Sequence, residues 1–341
     1  TDSRVKSERA VFFCIRGAVS DGHRFISQAK ENGAIAIVHS EDLAEKDPGL
    51  VYIRVENVLE TLNLVSVRFF GNCSRNMTVF GVTGTNGKST VSTIIRNVMN
   101  PVKPCGYIGT IGIVYNDVFR QADLTTPDIV PLHRTFEEMY DAGMEACAME
   151  VSSSGLALHR VDAIDFDYAV FTNLTHDHLD FHGTMENYFS AKRRLFVNLP
   201  KEKTAIINID DKYGRELVND EEISCRTVTY AVDRLATYQA TQIRLYAEKT
   251  TFVLKYDEKE YEVTTNLAAK FNVYNLLAVI AALHENGWEM EEILERVKVL
   301  PQVSGRMERV DENQPFTVIV DYAHTPDGLQ QIFAYAKHIT P

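Results

Sequence analysis

The chain has 341 residues, with 35 Lys and Arg against 47 Asp and Glu and a net charge of −12. At roughly 150 residues per domain this length implies two or three domains, and 45% hydrophobic with 24% charged residues excludes the disordered and fibrous classes. An acidic chain lacks the overall field that draws a phosphate polymer, so nucleic acid is not an expected partner, whereas a small anion held by backbone N–H groups is.

In chain order, VFFCI (11–15) predicts a buried strand, residues 23–32 a helix closed by Gly33, and AIAIV (34–38) a second strand. Strand, helix and strand within forty residues mark a small α/β unit. A helix is expected at 57–70, followed by the polar break GNCSRN (71–76). The boundaries are placed to give domains at 1–73 and 74–305, with 306–341 beginning a third. MTVFGV (77–82) predicts a strand and 88–99 a helix. ACAMEV (146–151), YAVFT (168–172) and KTAIIN (203–208) are short apolar runs suited to central parallel strands. Tyr- and Thr-rich strands between 226 and 265 suit an antiparallel flap or sheet extension. Val273, Leu276, Leu277 and Ile280 have the spacing of an amphipathic helix. TVIVDY (317–322) reads as the first strand of another α/β unit, with too little chain after it for a whole domain.

The five cysteines, Cys14, Cys73, Cys105, Cys147 and Cys225, contain no C-x-x-C pair. The odd count argues against a disulfide framework or a zinc ribbon and fits a reducing, cytoplasmic setting. Apolar runs such as 276–283 fall far short of the roughly 18 residues that span a bilayer, so no membrane insertion is expected. No signal peptide is visible, although the chain opens on Thr1 rather than Met.

The strongest local signal is MTVFGVTGTNGKST (77–90), a strand running into a Gly-rich turn and then a helix. Gly84 and Gly87 let backbone N–H groups turn inward on phosphate oxygens, Lys88 can reach the β- and γ-phosphates, and Ser89 or Thr90 can hold Mg²⁺. The strict pattern G-x-x-x-x-G-K-[ST] needs glycine where Val82 stands, and the nearest glycine is Gly81. Glu150 ends the apolar strand 146–151, at the binding edge of a doubly wound sheet and suited to Mg²⁺; the bland reading is an edge residue leaving the core for solvent.

THDHLDFHGT (175–184) gathers His176, His178, Asp180 and His182. Alone these suggest a metallo-β-lactamase-like zinc motif, but Phe181 breaks its spacing; the bland reading is a polar loop. Lys192 lies on an expected helix beside Arg193 and Arg194, and local sequence favours a solvated basic face. An ammonium cannot bind Mg²⁺; only a lysine whose pKa is depressed could react with CO₂ and offer a carbamate oxygen.

TGTNGKST resembles the nucleotide loop of the Mur ligases, ATP-dependent amide ligases that build the peptidoglycan stem peptide. TDSR (1–4), TTPD (125–128), EVSS-x-GL (150–156), FTNLTHDHLDFHGTMENY (171–188), FNVYN (271–275), GRME (305–308) and DYAHTPDG (321–328) extend the resemblance over nearly the whole chain. They point to the branch that adds a diamino acid, meso-diaminopimelate or L-lysine, to a UDP-N-acetylmuramoyl dipeptide. The resemblance implies an N-terminal α/β UDP-binding domain, a central mostly parallel doubly wound sheet with the phosphate loop, and the start of a C-terminal Rossmann-like domain, in a monomer of the bacterial cytoplasm.

By the same resemblance, Gly84, Thr85, Asn86, Gly87, Lys88, Ser89 and Thr90 form the ATP loop, with Asn275 at the adenine and Arg306 and Asp321 at the hinge and nucleotide. Two Mg²⁺ ions would use Ser89, Glu150, His178 and a carbamylated Lys192; Lys88, Glu150, His178 and Lys192 would be the catalytic set. Ser3, Thr125, Thr126, Ser152 and Arg160 would contact the muramoyl substrate, and Gly17 to Ser20 would lie near the uridine. Ser154 stands where the family has His or Gln, and Leu158 where Gln is common, a departure at one polar contact to the peptide.

Two other readings are weighed. One is a folylpolyglutamate synthase-like ligase, against which TDSR and TTPD argue. The other is a two-domain binding module: a third domain carries the family's amino-acid selection, so the chain as given is expected to bind the UDP-sugar peptide without ligating it.

Overall fold

Every apolar run read as a strand folds as one, and the alternation of strands and helices sorts them into two units, Thr1–Gly71 and Asn72–Pro341. The structure is a computed structural model that describes residues 2–17, 20–246 and 249–340. Ala18 and Val19, within the segment expected near the uridine, lie outside the described residues.

The first unit carries β1 (Ala10–Phe13), α1 (Ile26–Glu31), β2 (Ala34–His39), β3 (Val51–Arg54) and α2 (Val58–Phe70). The strands form a parallel sheet in the order β1-β2-β3. The sequence reading missed β3, a four-residue edge strand whose Val51 and Ile53 are exposed. Phe12, Cys14, Ala29, Ile37 and Leu50 form this unit's core. α2 starts where Asn57 Oδ1 accepts the N–H groups of Leu59 and Glu60, and stops at Gly71 in the left-handed region, φ 79°.

The second unit runs β4 (Thr78–Thr83), α3 (Lys88–Met99), β5 (Cys105–Gly109), β6 (Gly112–Tyr115), β7 (Val118–Arg120), α4 (Ile129–Asp141), β8 (Ala146–Glu150), α5 (Ser153–Ala157), β9 (Tyr168–Phe171), α6 (Leu179–His182), α7 (Met185–Val197), β10 (Thr204–Asn208) and α8 (Lys212–Val218). It continues through β11 (Arg226–Ala231), β12 (Tyr238–Leu245), β13 (Thr250–Tyr256), β14 (Lys259–Thr265), α9 (Lys270–Glu285), α10 (Met290–Arg296), β15 (Glu308–Val310), β16 (Val318–Val320) and α11 (Pro326–Ile339). Eleven strands make one sheet in the order β14-β13-β12-β11-β10-β9-β4-β8-β5-β6-β7. Its middle, β11 to β5, is parallel, and β6–β7 and β13–β14 extend it antiparallel. The 226–265 segment is therefore a sheet extension, with β11 still parallel to β10.

Period-two alternation divides the central strands between two cores. Phe80, Val170 and Ile206 face the layer of α3, α9 and α10, and Val79, Ala169, Phe171, Ala205 and Ile207 face the layer holding α4, α5 and α7. One expectation needs correcting: α9 is not amphipathic. Residues Asn275 to Leu283 are buried without a break, because the helix lies between the sheet, α3 and α10. All five cysteines are buried. Among the described residues no helix is long and apolar enough to cross a membrane.

β4 sits between β9 and β8, and the chain crosses from one side of it to the other. The crevice outside the carboxyl ends of β4, β8 and β9 is therefore the topological switch point of the sheet.

Candidate active site at the switch point

The turn from β4 into α3 is shaped by two glycines. Gly84 has φ 149°, and a Cβ there would stand 1.9 Å from Thr172 Oγ1; Gly87 has φ 89°, and a Cβ there would stand 2.4 Å from Asn275 Oδ1. Gly81, by contrast, belongs to the strand, where a Cβ would meet the Phe166 ring at 2.7 Å. Packing on Phe166 is why a glycine stands one place before the strict pattern's position, while Val82 is a core residue. α3 opens on Gly87 without a side-chain cap, so its first-turn N–H groups face the loop as anion donors.

The loop is braced from the end of β9. Thr172 Oγ1 donates to Asn86 O at 2.6 Å, Asn173 Nδ2 donates to the same carbonyl at 3.1 Å, and Asn86 N donates to Asn173 Oδ1 at 2.9 Å. Thr85 Oγ1 lies 3.1 Å from the Tyr188 hydroxyl and accepts from Thr175 N at 3.0 Å. Thr90 is buried in the first turn of α3. Lys88 Nζ donates to the carbonyls of Gly84 and Thr85 at 3.0 and 2.9 Å. Burial pulls its pKa down, with Arg306 adding to the effect and Glu150 opposing it.

Glu150 is fully buried at the end of β8. Its Oε1 accepts from the Tyr107 hydroxyl at 2.5 Å and from Thr110 N at 2.8 Å; its Oε2 accepts from Ser89 Oγ at 3.0 Å and Thr110 Oγ1 at 3.2 Å. Arg306 donates to Ser89 Oγ at 2.9 Å, and its guanidinium lies over the Tyr322 ring. A hydroxyl and a carboxylate oxygen converging beside the phosphate loop are the hard donors Mg²⁺ prefers.

Lys192 overturns the solvated-face reading. α7 buries Tyr188, Ala191, Lys192, Leu195 and Phe196, and the lysine is 1% exposed. Its Nζ donates to Gly84 O at 2.9 Å, the carbonyl that also receives Lys88, and lies 4.8 Å from the centre of the Tyr188 ring. Burial first, and then the charge of Lys88, hold its pKa well below the usual lysine value. Its neighbours turn outward and are paired, Arg193 with Asp220 and Arg194 with Asp162.

His178 caps α6 at φ 51°, its side chain half exposed and 3.4 Å from Asp177 Oδ2. Burial, Lys88 and Lys192 lower its pKa, leaving a neutral imidazole at pH 7. His182 is buried against Ser153 Oγ at 2.9 Å, while His176 and Asp180 are exposed. Among the described residues the four groups of the zinc-like motif form no metal-binding cluster.

Lys88, Ser89, Glu150, His178, His182 and Lys192 line one cleft of about 820 Å³ in the second unit, together with Thr125, Ser152, Arg160, Asn275 and Asp321. Arg160 pairs with Asp128 at 2.7 Å, and Ser152 Oγ caps Gly155 N at 3.1 Å and sits 3.3 Å from Ser154 Oγ. Asp321 accepts from the backbone N–H groups of Met307 and Ala323, tying the β15–β16 hairpin together. Thr126 does not reach the cleft as expected. It is fully buried, donates to Glu150 O at 2.9 Å and accepts from Ser152 N at 2.9 Å, so its hydroxyl stands behind the wall. Ser3 belongs to the first unit, where its hydroxyl donates to Gln28 Oε1 at 2.6 Å.

Sequence reasoning missed Tyr107, Thr110, Thr172, Asn173 and Asp327. Thr172 and Asn173 follow β9 directly, so the strand-end argument used for Glu150 would have found them. Asp327 Oδ2 accepts from Asn86 Nδ2 at 3.0 Å across 241 residues of sequence, a contact no local pattern carries.

Comparison with known proteins fits this geometry. Residues 82–283 match the Mur ligase middle domain, 305–341 the Mur ligase glutamate ligase domain, and 1–64 the Mur ligase family catalytic domain. The chain is 40% identical over 335 residues to the UDP-N-acetylmuramoyl-L-alanyl-D-glutamate–2,6-diaminopimelate ligase of Halalkalibacterium halodurans, covering 97% of this chain and 68% of the relative. A solved structure of a 2,6-diaminopimelate ligase of the same name superposes with a TM-score of 0.85 at 28% identity, over all of this chain and 70% of that one. The fold is shared with the MurF ligase of Thermotoga maritima, solved in complex with ADP, at a TM-score of 0.69 and 21% identity, over 98% of this chain and 73% of that one.

Proposed function

From the premise that the chain belongs to the Mur ligase family of ATP-dependent, ADP-forming ligases, we propose that it joins 2,6-diaminopimelate to UDP-N-acetylmuramoyl-L-alanyl-D-glutamate in peptidoglycan synthesis. The observation that carries this reading is the 40% identity over nearly the whole chain to a ligase named for that reaction. Lys88, Ser89, Glu150, His178 and Lys192, which line the switch-point cleft, support it.

A carboxylate oxygen of the D-glutamyl residue bonds to the γ-phosphorus of ATP, and the bond to ADP breaks. The amine of the diamino acid then bonds to the acyl carbon, phosphate leaves with the bonding pair, and the amine gives up a proton to form the amide. The obstacle is electrostatic, because triphosphate and carboxylate must meet. Lys88 and the uncapped N–H groups of α3 oppose that repulsion at the phosphates. Thr172 and Asn173 hold the loop in the shape that presents them. Arg160, on the same cleft, would orient the anionic substrate.

Ser89 and Glu150 would hold one Mg²⁺, and His178 with a modified Lys192 a second. Bound there, the ions would neutralise charge on the transferring phosphoryl group. The fit for Lys192 rests on its burial and its shared carbonyl. Two ammonium groups on Gly84 O repel, so one is driven to the neutral amine that can attack CO₂. That attack forms an N–C bond and releases a proton, turning a cation into a carbamate anion with hard oxygen donors.

The experiment supplies the UDP-muramoyl dipeptide, ATP and Mg²⁺ with either meso-diaminopimelate or L-lysine and follows amide product and ADP. With the family's third domain present, product with diaminopimelate and little with L-lysine is expected. Equal or preferred use of L-lysine would overturn the acceptor assignment. Failure of the chain to bind the UDP-muramoyl dipeptide in a calorimetric titration would overturn the reading as a whole.

A further inference from the structure

We infer that Tyr107 is a positioning residue for the carboxylate of Glu150, tying down one oxygen so that the other is presented to Ser89 and to a metal ion. The inference rests on the reading of Glu150 as a Mg²⁺ ligand and adds the residue that aims it. The two side chains come from adjacent parallel strands, β5 and β8, in which Tyr107 is registered with Ala148.

A glutamate at a strand end has three side-chain torsions to fix, and Glu150 must fix them in a dry site. The two oxygens have unlike surroundings. Oε1 faces the wall, held by the Tyr107 hydroxyl at 2.5 Å and Thr110 N at 2.8 Å. Oε2 faces the phosphate loop, with Ser89 Oγ at 3.0 Å. Without the phenol, Oε1 would keep only the Thr110 N–H, while Oε2 is met by the hydroxyls of Ser89 and Thr110; the phenol gives Oε1 the second bond that fixes its side of the carboxylate. The wall is also shaped for the pair. A Cβ on Gly109 would stand 2.3 Å from Oε1 and 2.4 Å from the Tyr107 oxygen, so only glycine admits both. Tyr107 is 2% exposed, and a phenol this buried must have a hydrogen-bond partner. Here the partner is charged, the stronger kind of bond. Removing such an outer partner of a metal ligand typically weakens metal binding by roughly 10- to 100-fold.

Tyr107→Phe keeps the ring and deletes only the hydroxyl. The test titrates Mn²⁺ into the full chain carrying a non-hydrolysable ATP analogue, read by electron paramagnetic resonance, with nucleotide affinity measured separately in chelator. Tyr107→Phe should raise the Mn²⁺ dissociation constant about tenfold or more, while metal-free nucleotide affinity and the urea unfolding midpoint stay near wild type. Unchanged Mn²⁺ affinity, or an equal loss of metal-free nucleotide affinity, would overturn the inference. Glu150→Gln, run in parallel, separates the two ways of failing. If it also keeps wild-type Mn²⁺ affinity, the metal-ligand reading falls and the inference with it. If it loses Mn²⁺ binding while Tyr107→Phe does not, the inference alone falls.

Discussion

Replacing Lys192 by Met keeps an unbranched apolar side chain in the core and deletes the amine. Two terms oppose each other in the ligand-free protein. The variant loses a hydrogen bond to Gly84 O, worth about 1 kcal/mol net. It also escapes the cost of burying an ammonium beside Lys88, which runs to several kcal/mol while the group is charged. The sign with pH follows from the depressed pKa. Between the native value and the ordinary value of about 10.4, the unfolded chain binds more protons than the native one, so wild-type stability rises with pH there. The slope approaches about 1.4 kcal/mol per pH unit, and the gain is lost as pH falls through the native pKa. Lys192→Met removes this group's contribution. In urea unfolding in CO₂-free buffer, the variant should be the more stable protein at pH 6 by about 1–3 kcal/mol, and its advantage should shrink as pH is raised to 9. Isotope-labelled bicarbonate with Mg²⁺ and nucleotide should give a carbamate NMR signal in wild type alone. A pH-independent gap between the two proteins, or a wild type that is the more stable at pH 6, would refute the reasoning.

In the full-length enzyme, Glu150→Ala and His178→Ala should each abolish amide ligation while ATP affinity falls far less, because the phosphate loop is intact; turnover like wild type in either would remove that residue from the site. Gly87→Ala puts a Cβ at φ 89° and 2.4 Å from Asn275 Oδ1, a strain of at least about 1–2 kcal/mol, so ATP affinity should drop roughly tenfold or more in a direct titration. His133 on α4 is 3% exposed, its Nε2 has no hydrogen-bond partner among the described residues, and burial lowers its pKa to about 4. The native state then binds fewer protons than the unfolded chain in acid, so about 3 kcal/mol of stability should be lost between pH 6.5 and pH 4. His133→Leu should flatten that limb in acid unfolding curves, and an unchanged limb would count against the assignment.

What the sequence disclosed depended on whether a residue's job is local. The phosphate loop was legible because strand, glycines, lysine and hydroxyl are consecutive and each has a backbone reason. Glu150 was legible because a strand end in a doubly wound sheet is a binding edge. Lys192 was not legible from Lys-Arg-Arg, which reads as a charged face, although a wider window holds the signal. Tyr188, Ala191, Lys192, Leu195 and Phe196 recur at i, i+3, i+4, i+7 and i+8, so the lysine falls on the apolar stripe and the arginines fall off it. α9 failed in the opposite way, since four well-spaced residues suggested one face in a helix buried on every side. Thr126 was assigned to the substrate by resemblance, but both hydrogen-bonding roles of its hydroxyl are spent on the chain, which only the three-dimensional neighbourhood reveals. Tyr107 and Asp327 act across strands or across the length of the chain, where no periodicity reaches.

The hydrogen bond from Arg306 to Ser89 and the one from Asn86 to Asp327 fasten the start of β15 and the first turn of α11 to the phosphate loop. Ser89 Oγ is also the atom a Mg²⁺ ion would take. Loading the site and holding the C-terminal segment therefore draw on the same oxygen, so the two are rivals. Metal and nucleotide are therefore expected to loosen this segment near Arg306. In a protease digestion, Mg²⁺ with nucleotide should speed cleavage after Arg306 and Arg309, and nucleotide in chelator should speed it less. The phosphate loop would then act as a latch as well as a cradle, and its occupancy would set when the last part of the chain is free to move.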